Sequence, residues 1–256
     1  MWQRDGWDAR TRVGVVTPHA DVGPESELQA MAPDGLVVHA ARVPFGATAA
    51  RWAMRPAIPL EPIEAFTQPP AIDDAVSLLA AAPIAAICIG LTSSAYVTGA
   101  EAEQALVQRL QMRTSGAPVL TTCASAVAAL HALGSSRLAI VDPPWFDAKL
   151  NQLGADYFAS QGFEVVFHSP CGLPSSQRSI NPSELYAWVR EHCPSSADAV
   201  FIGGNGFRAV SVIEALEQDL GRPVLTANQV LLWRALQAVG SALRPVGYGQ
   251  VFGVAV

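Results

Sequence analysis

PVLTTCASAVAALHALG, residues 118–134, and PVLTANQVLLWRALQAVG, residues 223–240, are one element written twice: a proline-led strand, a polar strand end, and a helix closed by glycine. Each copy follows a strand ending in Ile-Gly, in AAICIGLTSS (85–94) and in AVFIGGNGF (199–207). Further upstream, VGVVTPHADVGPESEL (13–28) matches RLAIVDPPWFDAKLNQL (137–153). Long-period similarity with only two copies points to duplication and pseudo-twofold symmetry rather than a solenoid.

The remaining strands are LVVHAARV and FEVVFHS. Runs that are apolar on successive positions fit parallel strands covered on both faces, and their alternation with helical patterns predicts an α/β protein. The expected fold is two pseudo-twofold-related, doubly wound parallel-sheet domains. The expected first lobe is 1–117, with 224–256 packing back on it, and the second is 118–223. Helix starts are well marked: Asn181-Pro182-Ser183-Glu184 supplies an N-cap, a first-turn proline and an acid. The proline-rich stretch from Val43 to Asp74 breaks the repeat. It reads as a surface excursion with some helix of its own, or as a cleft lid carrying Arg51 and Arg55.

A chain of 256 residues, 50% hydrophobic and 15% charged, has the means to bury a large core. A net charge of -6, with Lys149 the only lysine, leaves no basic field for nucleic acid. Cys88, Cys123, Cys171 and Cys193 lack metal-ligand spacing and are expected to be reduced, with no metal site. The polar N-terminus and the absence of a long apolar run predict no membrane contact and a cytoplasmic protein.

In open parallel sheets, ligands sit beyond the carboxyl ends of the strands. With the two halves facing each other, Thr17 to Asp21 would oppose Asp142 to Trp145, and Leu91-Thr92-Ser93 would oppose Gly204-Asn205-Gly206, around one cleft. His19 and Asp21 follow the first strand and are candidate acid/base groups; a capping or solvated role is the plainer alternative. Cys123 opens a helix, where the dipole lowers a thiol pKa, though small buried cysteines are commoner. Asp147 reads as an N-cap. Arg208 is a candidate carboxylate ligand whose plainer role is solvation. Gly204 to Ala209 fits the dinucleotide fingerprint only weakly, because its first-half counterpart is not glycine-rich and no acid closes the next strand.

The order VVTPHAD, CIGLTSSAYVTG, PVLTTCASAV, DPPWFDAKLN, FIGGNGFRAV, PVLTANQVLLW and RPVGYGQVF, from Val13 to Phe252, resembles the aspartate/glutamate racemase superfamily, in its arylmalonate decarboxylase and maleate cis-trans isomerase branch. The resemblance implies two α/β lobes around a cofactor-free site for small carboxylic acids. It carries the carboxylate-holding role to Thr92, Ser93, Asn205 and Gly206, where amides and hydroxyls at helix starts favour an anion. It puts the family's cysteines at Leu91 and Gly204, so neither thiol is present, and Trp145 at a pocket tyrosine. Pro18 joins them as a pocket residue.

The implied function is a cofactor-independent isomerase or decarboxylase that does not use those two cysteines. The missing thiols make the pocket more apolar, which suits a hydrocarbon or aryl substituent. The alternative is a non-catalytic carboxylate-binding homologue that has lost the thiols. The expected partner is a small carboxylate, and an assembly of identical copies is compatible with the sequence.

Overall fold

The computed structural model describes residues 6–47 and 57–254. Strands β1 (Thr11–Pro18), β2 (Leu36–Val43), β3 (Ala86–Ile89) and β4 (Val119–Thr121) form one parallel sheet in the order β2-β1-β3-β4. Strands β5 (Arg137–Asp142), β6 (Glu164–Pro170), β7 (Ala199–Ile202) and β8 (Val224–Thr226) form a second, in the order β6-β5-β7-β8. The central strands are sealed on both faces: Val13, Val15, Val16, Ile87, Ile140 and Phe201 are all fully buried. That is the covering a parallel sheet requires.

Register gives the pseudo-symmetry its detail. Val16 stands opposite Ile89 in one sheet and Val141 opposite Ile202 in the other. Thr17 is therefore the counterpart of Asp142, and Leu91-Thr92-Ser93 the counterpart of Gly204-Asn205-Gly206.

The helices are α1 (Gly23–Met31), α2 (Leu60–Phe66), α3 (Ala71–Ala80), α4 (Thr92–Gln111), α5 (Thr122–Ala132), α6 (Ala148–Ser160), α7 (Pro182–His192), α8 (Ile213–Leu220) and α9 (Ala227–Ala238). Asn181 caps α7 by accepting from Ser183 N at 3.1 Å, and Asp147 caps α6 by accepting from Leu150 N at 2.8 Å. The stretch from Val43 to Asp74 contains α2 and the start of α3. Arg51 and Arg55 lie outside the described residues.

One boundary differs from expectation. A cut between 117 and 118 puts β4 in the second lobe, whereas its Val119–Thr121 pair with Ile87–Ile89 in the first sheet. Likewise Val224–Thr226 stay in the second sheet beside β7, and it is α9 that crosses to pack on β3 and β4. Apolar side chains bury this helix nearly all round: Val230, Leu231, Leu232, Trp233 and Ala235 have 1% exposure or less. A helix without a solvated face belongs between layers, and α9 packs against α1, α5 and β3 at once. The two lobes share one core.

Candidate active site between the lobes

The turns after β1, β3, β5 and β7 meet at a cavity of about 30 Å3, room for about one water. Leu91, Thr92 and Ser93 form one side, and Gly204, Asn205 and Gly206 the other. Pro18, Asp21 and Trp145 complete the expected lining. Gly90, Phe45, Ile58, Phe146 and Gln177 also line it.

The first turn of α4 points its donors at Asn205. The Asn205 side-chain oxygen accepts from Thr92 N at 2.7 Å, from Thr92 Oγ1 at 2.8 Å and from Thr122 Oγ1 at 3.1 Å. Its amide nitrogen donates to Asn228 Oδ1 at 2.9 Å. Asn205 is 3% exposed, so each of these groups depends on the others rather than on water. In effect the amide oxygen stands where a carboxylate oxygen would sit at a helix start. The Ser93 hydroxyl is buried in the same wall and has no hydrogen-bond partner among the described residues.

A bolt lies behind this lock. Asn228 Nδ2 donates to Glu27 Oε2 at 2.7 Å, and Glu27 Oε1 accepts from Ala209 N at 2.7 Å and Val210 N at 3.1 Å. Helix α1 of the first lobe thus reaches backbone amides of the second. Burial pushes the Glu27 carboxyl up to about 7, against the pull of its donors.

Asp21 faces the cavity from the turn after β1. Its Oδ1 accepts from Gly23 N at 2.8 Å, while Arg42 on β2 donates to the Asp21 carbonyl at 2.7 Å. Desolvation raises its carboxyl from 3.8 to about 6, with Gly23, Gln177 and Arg42 holding it back. The group is therefore poised to exchange a proton close to neutrality. Gly206 makes this closeness possible: a Cβ there would come within 2.0 Å of Gln177 Nε2 and 2.7 Å of Asp21 Oδ2.

The arylmalonate decarboxylase family profile matches residues 68–252 of the chain. The chain belongs to the arylmalonate decarboxylase family. It is 25% identical over 235 residues to the maleate isomerase of Pseudomonas putida KT2440, a match covering 89% of this chain and 91% of that protein. The fold matches the crystal structure of a maleate isomerase from Pseudomonas putida S16 with maleate, at TM-score 0.82, 20% identity and coverage of 96% and 98%. It also matches crystalline arylmalonate decarboxylase at TM-score 0.75, 19% identity and coverage of 94% and 99%. A third match is the maleate cis-trans isomerase of Nocardia farcinica with a covalently bound succinylcysteine intermediate, at TM-score 0.81, 19% identity and coverage of 94% and 98%. This is the expected branch of the superfamily, and the two-lobe α/β fold is the expected one.

Within this family member, two expected acid/base groups stand apart from the cavity. His19 is exposed, and its Nδ1 accepts from Phe45 N at 3.0 Å; the ring ties the β1 turn to the segment after β2. Cys123 is buried beneath the wall, its thiol donating to the Thr92 carbonyl at 3.4 Å. Desolvation, with Glu103 and Asp142 nearby, pushes that thiol well above its usual range, so burial overrides the helix start. All four cysteines are free, yet none of them lines the cavity among the described residues.

Asp142 is also sealed, accepting from Tyr96 OH at 3.2 Å and Asn151 Nδ2 at 2.8 Å, and burial raises it to about 7. The glycine fingerprint fails as a pyrophosphate bed because Glu27 already holds the Ala209 and Val210 amides. Among the described residues no cluster of ligating side chains fits a metal ion, and no helix is long and apolar enough to cross a membrane.

Gln177, Glu27 and Asn228 were not foreseen. Gln177 sits in the Ser/Pro-rich CGLPSSQRS connection, which carries no periodicity; Glu27 reads as a solvated helix residue. Asn228 alone left a trace, as a polar residue opening the second copy of the repeated helix where Cys123 follows the first copy's strand.

Proposed function

We propose that this chain is a cofactor-independent enzyme of the isomerase/decarboxylase type acting on a small carboxylic acid held between Leu91–Ser93 and Gly204–Gly206. The observation that carries the reading is one cavity in which a buried carboxyl, Asp21, raised by desolvation to about 6, meets the donor-rich start of α4. The substrate carboxylate takes the place of Asn205 Oδ1 on Thr92 N and Oγ1 and also accepts from the Ser93 hydroxyl. Phe45, Ile58, Leu91, Trp145 and Phe146 give the cavity an apolar wall for a hydrocarbon or aryl substituent.

In decarboxylation, the bond from Cα to a second carboxylate breaks and carbon dioxide leaves. The electron pair stays on Cα and spreads into the held carboxylate as an enediolate. Donors already aimed at those oxygens stabilise the developing charge without reorganising. Protonated Asp21 then delivers its proton to Cα. Isomerisation by proton transfer starts as the reverse of that last step, ionised Asp21 removing a proton from Cα to leave the enediolate, and is completed when a proton returns to Cα. A thiol-adduct route finds no thiol among the described residues of this cavity, since none of the four cysteines lines it.

The test is proton NMR in deuterated water with phenylmalonate, maleate and 2-arylpropionates. Loss of carbon dioxide or deuterium entry at Cα is expected for at least one of these, and it should disappear in Asp21→Asn. No turnover and no exchange with any acid that binds would defeat the catalytic reading. The second reading, a non-catalytic carboxylate binder, is favoured by the hold of Asn205 on the Thr92 donors. Binding without exchange supports it.

A further inference from the structure

Next to the inner cavity lies a larger one of about 400 Å3, bordered by Ser26, Gln177, Arg178, Gly206, Arg208 and Ser211. Gln177 and Gly206 belong to both linings. Gln177 stands on a single turn, Gln177–Ser179, in the connection between β6 and α7, and it is only half-buried. Its amide lies over the Gly206 backbone and hydrogen-bonds Asp21. This side chain is the partition between the two spaces.

The inner space of about 30 Å3 is too small for an organic acid, so a ligand must displace part of its wall. Trp145 and Phe146 are 2–4% exposed and packed on all sides. Gln177 is unbranched, sits on a connecting segment and has open volume behind it. It is the wall element that moves at least cost.

The outer space suits an anion. Arg208 is exposed and forms no ion pair or hydrogen bond among the described residues, and Ser26 and Ser211 add hydroxyls. Glu27 is the one acid among the described residues of the lining, and both of its oxygens already accept, from Ala209 N, Val210 N and Asn228 Nδ2.

We propose that the outer cavity is the distal half of the substrate site, taking the second anionic group of an elongated dicarboxylic acid on Arg208, with Gln177 swinging outward to join the two spaces. This rests on the carboxylate reading of the inner cavity.

The test is titration calorimetry of the full chain with straight-chain dicarboxylic acids of increasing length and with monocarboxylic acids of matched length. Above a threshold length, the diacid should bind about tenfold more tightly than its monoacid, as expected for a charge-assisted contact. Arg208→Ala should abolish that gain and leave monoacid binding unchanged; Arg208→Glu should make long diacids bind worse than monoacids. Monoacids that bind while no diacid gains, or a gain that survives Arg208→Ala, overturn this inference and leave the inner site standing. Failure of every acid to bind overturns the inner-site reading and this one with it.

Discussion

Replacing Asn205 with alanine removes an amide that joins the two lobes, and its cost follows from its partners. The Thr122 hydroxyl keeps an acceptor, Ile89 O at 3.2 Å, and Thr92 Oγ1 still accepts from Gly204 N at 3.1 Å. Thr92 N and Asn228 Oδ1 lose theirs. Two orphaned buried groups cost about 1–3 kcal/mol each. Water entering the vacated space recovers part of this, so the expected destabilisation is about 2–4 kcal/mol. In a chain of this size that lowers the melting temperature by roughly 5–10 °C. Urea unfolding measures it, with the midpoint falling and the slope unchanged. Acetate supplies an oxygen to the bared Thr92 donors and should stabilise the variant more than the parent. A variant within about 0.5 kcal/mol of the parent, the range of neutral surface changes, or one with no extra response to acetate, would refute the lock.

Asp21 binds its proton more tightly folded than unfolded, since its carboxyl rises from 3.8 to about 6. Its contribution to stability is therefore full below about pH 4 and is lost as pH rises through about 6, a change of about 3 kcal/mol. Asp21→Asn removes this loss, so its stability relative to the parent should climb across that window in a pH series of urea midpoints; a constant difference would contradict the shift. Glu27 and Asp142, both raised to about 7, extend the parent's decline to higher pH in the same direction. Gly206→Ala drives a methyl into Gln177 and Asp21, and turnover of any substrate found should fall about 100-fold, the scale of an ångström-sized displacement, against about 1–2 kcal/mol of stability. Leu91→Cys places a thiol at the start of α4 beside the cavity, and iodoacetamide should label it rapidly, with mass spectrometry as the readout. The native thiols should resist, because burial pushes Cys88 and Cys171 up to about 12 and Cys193 up to about 11.

The strands and their pairing by halves were legible because apolar runs and a repeated register leave little freedom in a doubly covered sheet. The meeting of Thr92-Ser93 with Asn205-Gly206 follows from the same repeat, since equivalent strand ends must face one another across a twofold. What these residues do to each other was not legible: the Asn205 oxygen satisfies the donors that were expected to await a ligand. The place of β4 was missed because a three-residue strand carries no pattern that says which neighbour it joins. His19 and Cys123 were misplaced for a related reason. A strand end fixes where a backbone goes, whereas exposure depends on Phe45 in one case and on Thr92 and Glu103 in the other.

The bolt from Glu27 to Ala209, Val210 and Asn228 has no twin among the described residues. Strand register makes Gln152 the counterpart of Glu27 and Cys123 the counterpart of Asn228, but Gln152 is exposed and donates to Asp156, while the Cys123 thiol donates to the Thr92 carbonyl. An ancestral pair of identical halves would have needed every fastening to occur in duplicate. Each half now owns a part the other lacks, so two copies of either one should fail to assemble, and only unlike halves produced together should restore the whole.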